Sequence, residues 1–375
     1  MNSFGLPDSL AGPLNARLLS VSRRLDRASD RWTALGVASV GTLALALLAA
    51  LLKGEPTPRG DDLIYERMAS HPLATHTFPF GFRLGLPAAV HLLPFEHGTS
   101  FLLLALFAAG GAAAYAFLLM RQLHAPVLLA AGLAVLMCIS PPFVIVILRH
   151  GRNTDIATVF FMMAATYFAV RHDRARLAVA LLLGAVTREA VLFVIPLAYA
   201  LWATRPLDWR AARAALVASS PALLAYAVIR LGIHTVGEAQ VPGYGGSLIG
   251  ERLTVIKGGL SSAFQELRRM FTIYGPLWLV APLALRDMSF ARRGLVLVAL
   301  SLVAMTFALD WGRMILLAAP VFYPAAAHVL SQRPRWRAPV LLGLLELAIG
   351  YAVYMDVSGV QTGIIDNPAP PYPVQ

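Results

Sequence analysis

The chain has 375 residues, of which 58% are hydrophobic and only 14% are charged. A soluble domain carries about 25% charged residues, so this composition excludes a soluble protein and predicts a polytopic membrane protein. The formal charge of +11 accompanies no basic soluble domain, so we expect arginine-rich cytoplasmic loops and no nucleic-acid partner.

The apolar runs predict an all-α fold with a single membrane domain at 32–355 and no sizeable soluble domain. Residues 1–31 form a basic tail without a signal-cleavage site, which we expect to stay in the cytoplasm before a retained first span. Residues 356–375 form an outer tail. We expect about eleven transmembrane helices. They lie at 33–53, 99–120, 125–147, 156–170, 177–187, 189–203, 212–231, 271–285, 294–309, 314–330 and 338–355.

The stretch 177–202 is apolar, yet Thr187, Arg188 and Glu189 stand near its middle. One continuous helix would place this charge pair deep in the membrane, where ionised side chains are costly. A turn at these residues instead places the later arginine-rich loops on the cytoplasmic side with the N-terminal tail, as the positive-inside bias requires. We therefore predict the turn, with Thr187 as an N-cap of the next helix.

With this topology the carboxylates collect on the outer face, mostly beside arginines at helix ends. The outer loop 54–98 carries the acidic dipeptide Asp61-Asp62. Paired carboxylates can supply a general base and a neighbour that positions it or shares a cation. The alternative is that Asp61 caps a helix that begins at this point.

Several arginines on the same face are candidates for binding phosphate, because a guanidinium group forms bidentate hydrogen bonds with phosphate or carboxylate. For Arg83, anchoring to lipid headgroups is the alternative. Arg152 and Asp155 could instead pair at a helix end, and Arg188 and Glu189 could pair within their turn. The predicted binding residues are Arg83, Arg149, Arg152, Asp155, Arg188, Glu189, Asp310 and Arg313.

Three further features have weaker signals. His150 is a possible metal ligand, but no second ligand stands at a suitable spacing. A bound divalent cation is therefore neither predicted nor excluded, and the metal is unknown. Glu346 lies within the last apolar run, where an acid is either functional or paired with a polar neighbour. The outer loop 232–270 either covers a lipid-phosphate substrate with Lys257, Arg268 or Arg269, or lies on the membrane surface.

The order of these motifs resembles the polytopic glycosyltransferases of the GT-C class. The acidic dipeptide follows the first span, and "PFGFRLGLPAAVHLLP" (79–94) enters the next helix. Asp155 follows a short outer loop, "LLLGAVTREAVLFVIP" spans 181–196, and Arg313 precedes "APVFYPAAA". The resemblance covers roughly 55–330.

This resemblance implies a GT-C-like membrane fold in the bacterial inner membrane and sugar transfer from a polyprenyl-phosphate-linked sugar to a lipid or glycan acceptor. Asp61 or Asp62 would be the base, and the outer arginines would hold the lipid phosphate. The main alternative is a transporter or flippase for a lipid-linked or anionic substrate, which favours internal repeats. An oligosaccharide polymerase or ligase and a membrane assembly factor are further alternatives.

Overall fold

A computed structural model describes residues 8–52, 61–74, 76–77, 80–149, 151–236, 267, 270–305 and 311–358. The described structure is helical apart from one parallel pairing of two-residue strands, β1 (His76–Thr77) with β2 (Thr235–Val236). The predicted all-α class is therefore confirmed. Asp310, His150, Lys257, Arg268, Arg269 and most of the outer tail lie outside the described residues.

The described residues up to 236 form ten α-helices and two short 3-10 turns. The α-helices are α1 (Asp8–Leu52), α2 (Asp61–Ser70), α3 (Gly85–Leu92), α4 (His97–Gln122), α5 (Val127–Cys138), α6 (Pro141–Leu148), α7 (Asp155–Val170), α8 (Arg174–Thr187), α9 (Val194–Trp202) and α10 (Trp209–Gly232). The 3-10 turns are Phe80–Phe82 and Glu189–Phe193.

From residue 270 onwards, short 3-10 segments interrupt the described α-helices. They are residues 270–274, α11 (Leu277–Val280), α12 (Ser289–Met305), α13 (Trp311–Ile315), α14 (Ala319–Gln332) and α15 (Arg337–Ser358). The 3-10 segments Ala281–Arg286, Leu316–Ala318 and Pro334–Trp336 connect them.

Five helical segments of the described residues are long and apolar enough to cross a membrane, namely Ser29–Leu52, His97–Gln122, Val127–Leu148, Trp209–Gly232 and Arg313–Gln332. Asp155–Val170, Glu189–Trp202 and Leu277–Arg286 are shorter apolar segments. A helix of 16 residues is only about 24 Å long, against a hydrocarbon core of about 30 Å. The protein is thus a membrane protein with five candidate spans, and a count of eleven stays a prediction.

The structure adds two details to the predicted spans. Residues 8–31 continue directly into the first span within α1. The predicted span 125–147 is divided into α5 and α6 at Ser140, where Pro141 and Pro142 open the second helix. Proline is favoured there because the first helical residues have no intrahelical partner for their N–H groups.

Helix α4 packs against α1 on one side and α7 on the other. Its centre is rich in Gly and Ala, and a Cβ atom on Gly111 would lie 2.6 Å from the ring of Phe160. Gly110 faces Thr42 and Ala38 of α1 in the same way. Small residues let membrane helices approach closely, where dispersion forces hold them together.

The chain reverses direction at residues 187–189, as predicted. Helix α8 ends at Thr187, and Arg188 is extended with φ −163° and ψ 132°. Trp202, at the end of α9, stacks on His172 and donates to the Ala169 carbonyl at 2.8 Å. The segment 189–202 therefore returns to the end of the bundle from which α8 started.

That end, which we call the basic end, collects the arginine-rich connections. Arg293 donates to the Leu201 carbonyl at 2.6 Å. Asp287 accepts from Gln332 at 2.9 Å, which joins the connection before α12 to the end of α14. The opposite end, which we call the cluster end, holds α2, residues 83, 149, 151–155 and 187–189, and α13. Predicted outer carboxylates thus lie together at the cluster end, and the side of the membrane that this end faces stays a prediction.

Candidate active site

Ten charged residues meet in ion pairs at the cluster end, and we call them the charge cluster. The five carboxylates are Asp61, Asp62, Glu66, Asp155 and Glu189, and the five guanidinium groups are Arg83, Arg149, Arg152, Arg188 and Arg313. They come from α2, from the first residue of α7, from α13 and from three connections between helices. The long sequence separations, up to 252 residues, mean that the tertiary fold alone assembles them.

Asp155 and Arg313 form the centre of the charge cluster. The Asp155 side chain is 2% exposed and contacts two guanidinium groups, Arg188 and Arg313. Arg313 Nε lies 2.7 Å from Asp155 Oδ2, and Arg313 Nη1 lies 2.7 Å from Asp61 Oδ2. One guanidinium group thus joins the acid that opens α2 to the acid that opens α7.

The connection before α7 is shaped by Gly151 and Asn153. Gly151 has φ +68°, and a Cβ atom there would lie 2.7 Å from the Phe101 carbonyl oxygen, so this position requires glycine. The amide oxygen of Asn153 accepts from the Asp155 backbone N–H at 3.1 Å and from Arg313 Nη2 at 3.1 Å. The connection therefore fixes both the start of α7 and the direction of Arg313.

Two further acids of helix α2 face the connection before α7. Asp62 and Glu66 stand four residues apart, which places them on the same side of the helix. Asp62 Oδ2 accepts from Arg149 Nε at 2.8 Å, and Glu66 Oε2 lies 3.5 Å from Arg152 Nε. Two ion pairs thus hold α2 against Arg149 and Arg152, with Asp61 turned towards Arg313.

Arg83 lies in the segment between α2 and α3 and connects it to the turn that follows α8. It donates to Glu189 through Nη2 at 2.8 Å and Nε at 3.2 Å, and to the Tyr65 hydroxyl at 3.2 Å. Burial alone would lower the pKa of the Arg83 guanidinium, but the Glu189 carboxylate and the Tyr65 hydroxyl together outweigh this effect and raise that pKa above its usual value. Arg83 therefore stays charged at every physiological pH.

Nine of the ten residues predicted as catalytic or binding belong to the charge cluster, and the tenth, Asp310, lies outside the described residues. Asp61 also opens a helix, as the alternative interpretation expected. Asp61 can therefore both begin helix α2 and belong to the candidate site. Glu346 is exposed on α15.

Three local interpretations are wrong. Arg188 and Glu189 do not pair with each other, because the extended backbone at Arg188 sends their side chains to Asp155 and Arg83. Arg152 pairs with Glu66 and not with Asp155. Thr187 does not cap the following turn, because its hydroxyl donates back to the Leu183 carbonyl at 2.8 Å within α8.

Sequence reasoning missed Glu66, Tyr65, Asn153 and Thr154. The i, i+4 spacing of Asp62 and Glu66 was a usable signal, since it marks one helix face. Tyr65 is fully buried, and its hydroxyl lies 3.3 Å from that of Thr154. Neither hydroxyl has a sequence signature, because their roles depend on contacts across 89 residues.

The arrangement suits the binding of an anion in exchange for a carboxylate. Among the described residues the five carboxylates and five guanidinium groups of the charge cluster balance, so an added phosphate gains full attraction only where a guanidinium group leaves its present acid. Glu189, Glu66 and Asp61 are the more accessible acids, with side chains 38%, 30% and 20% exposed, whereas Asp62 is 3% exposed. Among the described residues no group of three or more His, Cys, Asp or Glu is placed to hold a metal ion.

No protein-family model matches the chain, and a search of curated proteins finds no match either. The function is therefore argued from the fold and the charge cluster. These define the chain as an all-helical membrane protein with a buried site of paired charges at one end of the bundle.

Proposed function

We propose that the chain is a membrane glycosyltransferase of the GT-C type, which moves a sugar from a polyprenyl-phosphate donor to a lipid or glycan acceptor. The observation that supports this most directly is the pairing of Asp61 with Arg313 at the centre of a buried arginine cluster. A carboxylate beside several guanidinium groups supplies both needs of the reaction, a base for the acceptor and positive charge for the leaving phosphate.

In the proposed reaction the acceptor hydroxyl oxygen attacks the anomeric carbon of the sugar. The bond between that carbon and the phosphate oxygen breaks, and the lipid phosphate leaves with the bonding electrons. The Asp61 carboxylate takes the proton of the hydroxyl, so that charge and atoms balance. Attack opposite the leaving group inverts the configuration at the anomeric carbon. The 20% exposure of Asp61 favours it over the buried Asp62 as the base.

Asp62 then has a positioning role, because it holds Arg149 at 2.8 Å. Arg83, Arg149, Arg152, Arg188 and Arg313 are the candidates for holding the lipid phosphate. Guanidinium groups that are already ordered by fixed acids cost little reorganisation when charge develops on the leaving group.

For the topology we propose about eleven crossings of the bacterial inner membrane, with a cytoplasmic N-terminus and the cluster end facing the periplasm. The shorter apolar helices then count as crossings within the bundle, where neighbouring helices cover their ends. The arginine-rich connections at the basic end support this orientation, because positively charged loops stay on the cytoplasmic side.

The proposed function is tested by turnover of lipid-linked sugar in inverted and right-side-out vesicles. We expect Asp61→Asn to lower transfer by about 10²- to 10⁴-fold, because the amide cannot take the hydroxyl proton. Asp62→Asn should reduce transfer less, through a misplaced Arg149. Asp173→Asn is the matched control, since Asp173 pairs with Arg176 on the exposed start of α8.

Equal amounts of folded protein must be compared, as judged by size-exclusion profiles. Unchanged transfer in Asp61→Asn would contradict the catalytic assignment. Movement of the lipid-linked sugar across the bilayer without transfer would favour the transporter or flippase instead.

A further inference from the structure

Arg313 is bound on three sides by groups of different accessibility. It contacts Asp155 at 2.7 Å, Asp61 at 2.7 Å and the Asn153 amide oxygen at 3.1 Å. Asp155 is 2% exposed and is held by Arg188 as well, whereas Asp61 is 20% exposed. Asp61 is therefore the partner that a ligand arriving from outside can reach and replace.

Asp61 is also the proposed base, and in this structure its Oδ2 atom accepts a hydrogen bond from Arg313. This hydrogen bond turns the carboxylate towards Arg313 and leaves its second oxygen to accept the proton of an acceptor hydroxyl. The same contact neutralises one of the guanidinium groups that the donor phosphate would need. The ion pair thus constrains both halves of the proposed site.

We propose that the donor phosphate displaces Asp61 from Arg313, so that phosphate binding itself frees the base. The inference rests on the proposed function and adds an order of binding: the phosphate-bearing donor binds first and the acceptor second. The ligand class is a phosphate group on a prenyl chain, with phosphate oxygens taking the place of the carboxylate oxygen at Arg313 Nη1.

Arg313 keeps its position during this exchange. Asp155 and Asn153 hold its Nε and Nη2 atoms from the connection before α7, which the left-handed Gly151 fixes in turn. A guanidinium group with fixed orientation loses less entropy when it binds a new anion. The exchange therefore replaces one charge-assisted hydrogen bond by another and leaves the buried part of the charge cluster intact.

The displacement predicts that removing the carboxylate of Asp61 strengthens phosphate binding. The probes are a short-chain prenyl phosphate and inorganic phosphate, titrated into the purified full-length protein in detergent. We expect Asp61→Asn to bind prenyl phosphate about tenfold more tightly than wild type, because the phosphate no longer competes with an internal anion. Arg313→Gln should bind it at least about tenfold more weakly, because the guanidinium group is lost.

Glu189→Gln is the matched comparison within the charge cluster, because it frees Arg83, another candidate for the phosphate, instead of Arg313. It removes the same charge from an acid that is more exposed than Asp61 but pairs with Arg83 instead. A general electrostatic effect would strengthen binding equally in both variants, and this result would overturn the inference. Asp61→Ser serves as a second variant if the asparagine variant is poorly folded by size exclusion.

The outcomes separate the inference from the proposed function. Prenyl-phosphate binding that is unchanged or weaker in Asp61→Asn overturns the displacement while leaving the donor class standing. Equal affinity for prenyl phosphate and inorganic phosphate, with the Asp61 effect present, supports the displacement and contradicts a lipid donor. Failure of every form to bind either probe overturns both.

Discussion

At the scale of single residues, the charge cluster depends on acids that serve two arginines or two structural elements. Asp155 is the clearest case, because its buried carboxylate contacts both Arg188 and Arg313. Taking one partner from a buried ion pair leaves uncompensated charge in a medium of low dielectric constant. We therefore expect Asp155 to contribute more to the stability of the protein than the other acids of the charge cluster.

Asp155→Asn should lower the stability of the protein by about 3 to 5 kcal/mol, because the buried Arg188 guanidinium loses its anion and Arg313 loses one of its two. The measurement is the fraction of monodisperse protein that survives heating in detergent, followed by size exclusion.

Asp173→Asn is the control for this change. Asp173 forms a partly exposed pair with Arg176, and such pairs contribute at most about 1 kcal/mol. Asparagine also keeps the N-cap of α8. If both variants lose stability equally, the ion pairs of Asp155 contribute no more to the stability of the protein than the exposed pair of Asp173 does.

At the scale of elements, short connections position the cluster more than the long helices do. Arg149, Arg152 and Asn153 all lie in the connection between α6 and α7, and Gly151 gives it a left-handed turn. Gly85 at the start of α3 lies equally close to Thr187, since a Cβ atom there would be 2.7 Å from the Thr187 hydroxyl oxygen. Glycines at these two positions allow close approach of segments that carry the arginines.

Gly151→Ala should destabilise the protein by about 1 to 3 kcal/mol, through the positive φ and the clash with Phe101. It should also weaken prenyl-phosphate binding, because the arginines on either side of the glycine must move. Thermal unfolding and the phosphate titration check the two effects.

Gly36→Ala provides the comparison for a helical glycine. A Cβ atom at Gly36 in α1 meets nothing within 4 Å. Alanine there should be neutral or stabilising by about 0.5 to 1 kcal/mol. A stability loss at Gly36 as large as at Gly151 would show that the positive φ is not the cause.

At the scale of the whole molecule, the two ends of the bundle differ in the kind of charge they carry. The cluster end holds acids paired with arginines, and the basic end holds arginine-rich connections. Cys138 is fully buried, so its thiol does not compete with cysteines introduced at the surface.

Cysteines placed at the two ends should react with a membrane-impermeant maleimide from opposite sides of sealed vesicles. Leu73→Cys reports on the cluster end and Leu207→Cys on the basic end, where the native side chains are 85% and 91% exposed. The unmodified chain should remain unlabelled without denaturant. Labelling of both positions from the same side would contradict the two-ended topology.

Features that depend on local composition could be predicted from the sequence. Apolar runs predicted the helices, and the distribution of arginines predicted the reversal at 187–189 and the placement of the outer carboxylates apart from the arginine-rich loops. These properties can be read locally because membrane insertion and helix formation respond to segments of about 20 residues.

Only the tertiary structure decided which charges meet. Arg188 looked like the partner of its neighbour Glu189, yet the extended backbone sends it to Asp155. Arg313 pairs with Asp61 across 252 residues through one nitrogen, while Asn153 accepts from another. An ion pair depends on the direction and distance of side chains from packed helices, and neither quantity is encoded in any single segment of the chain.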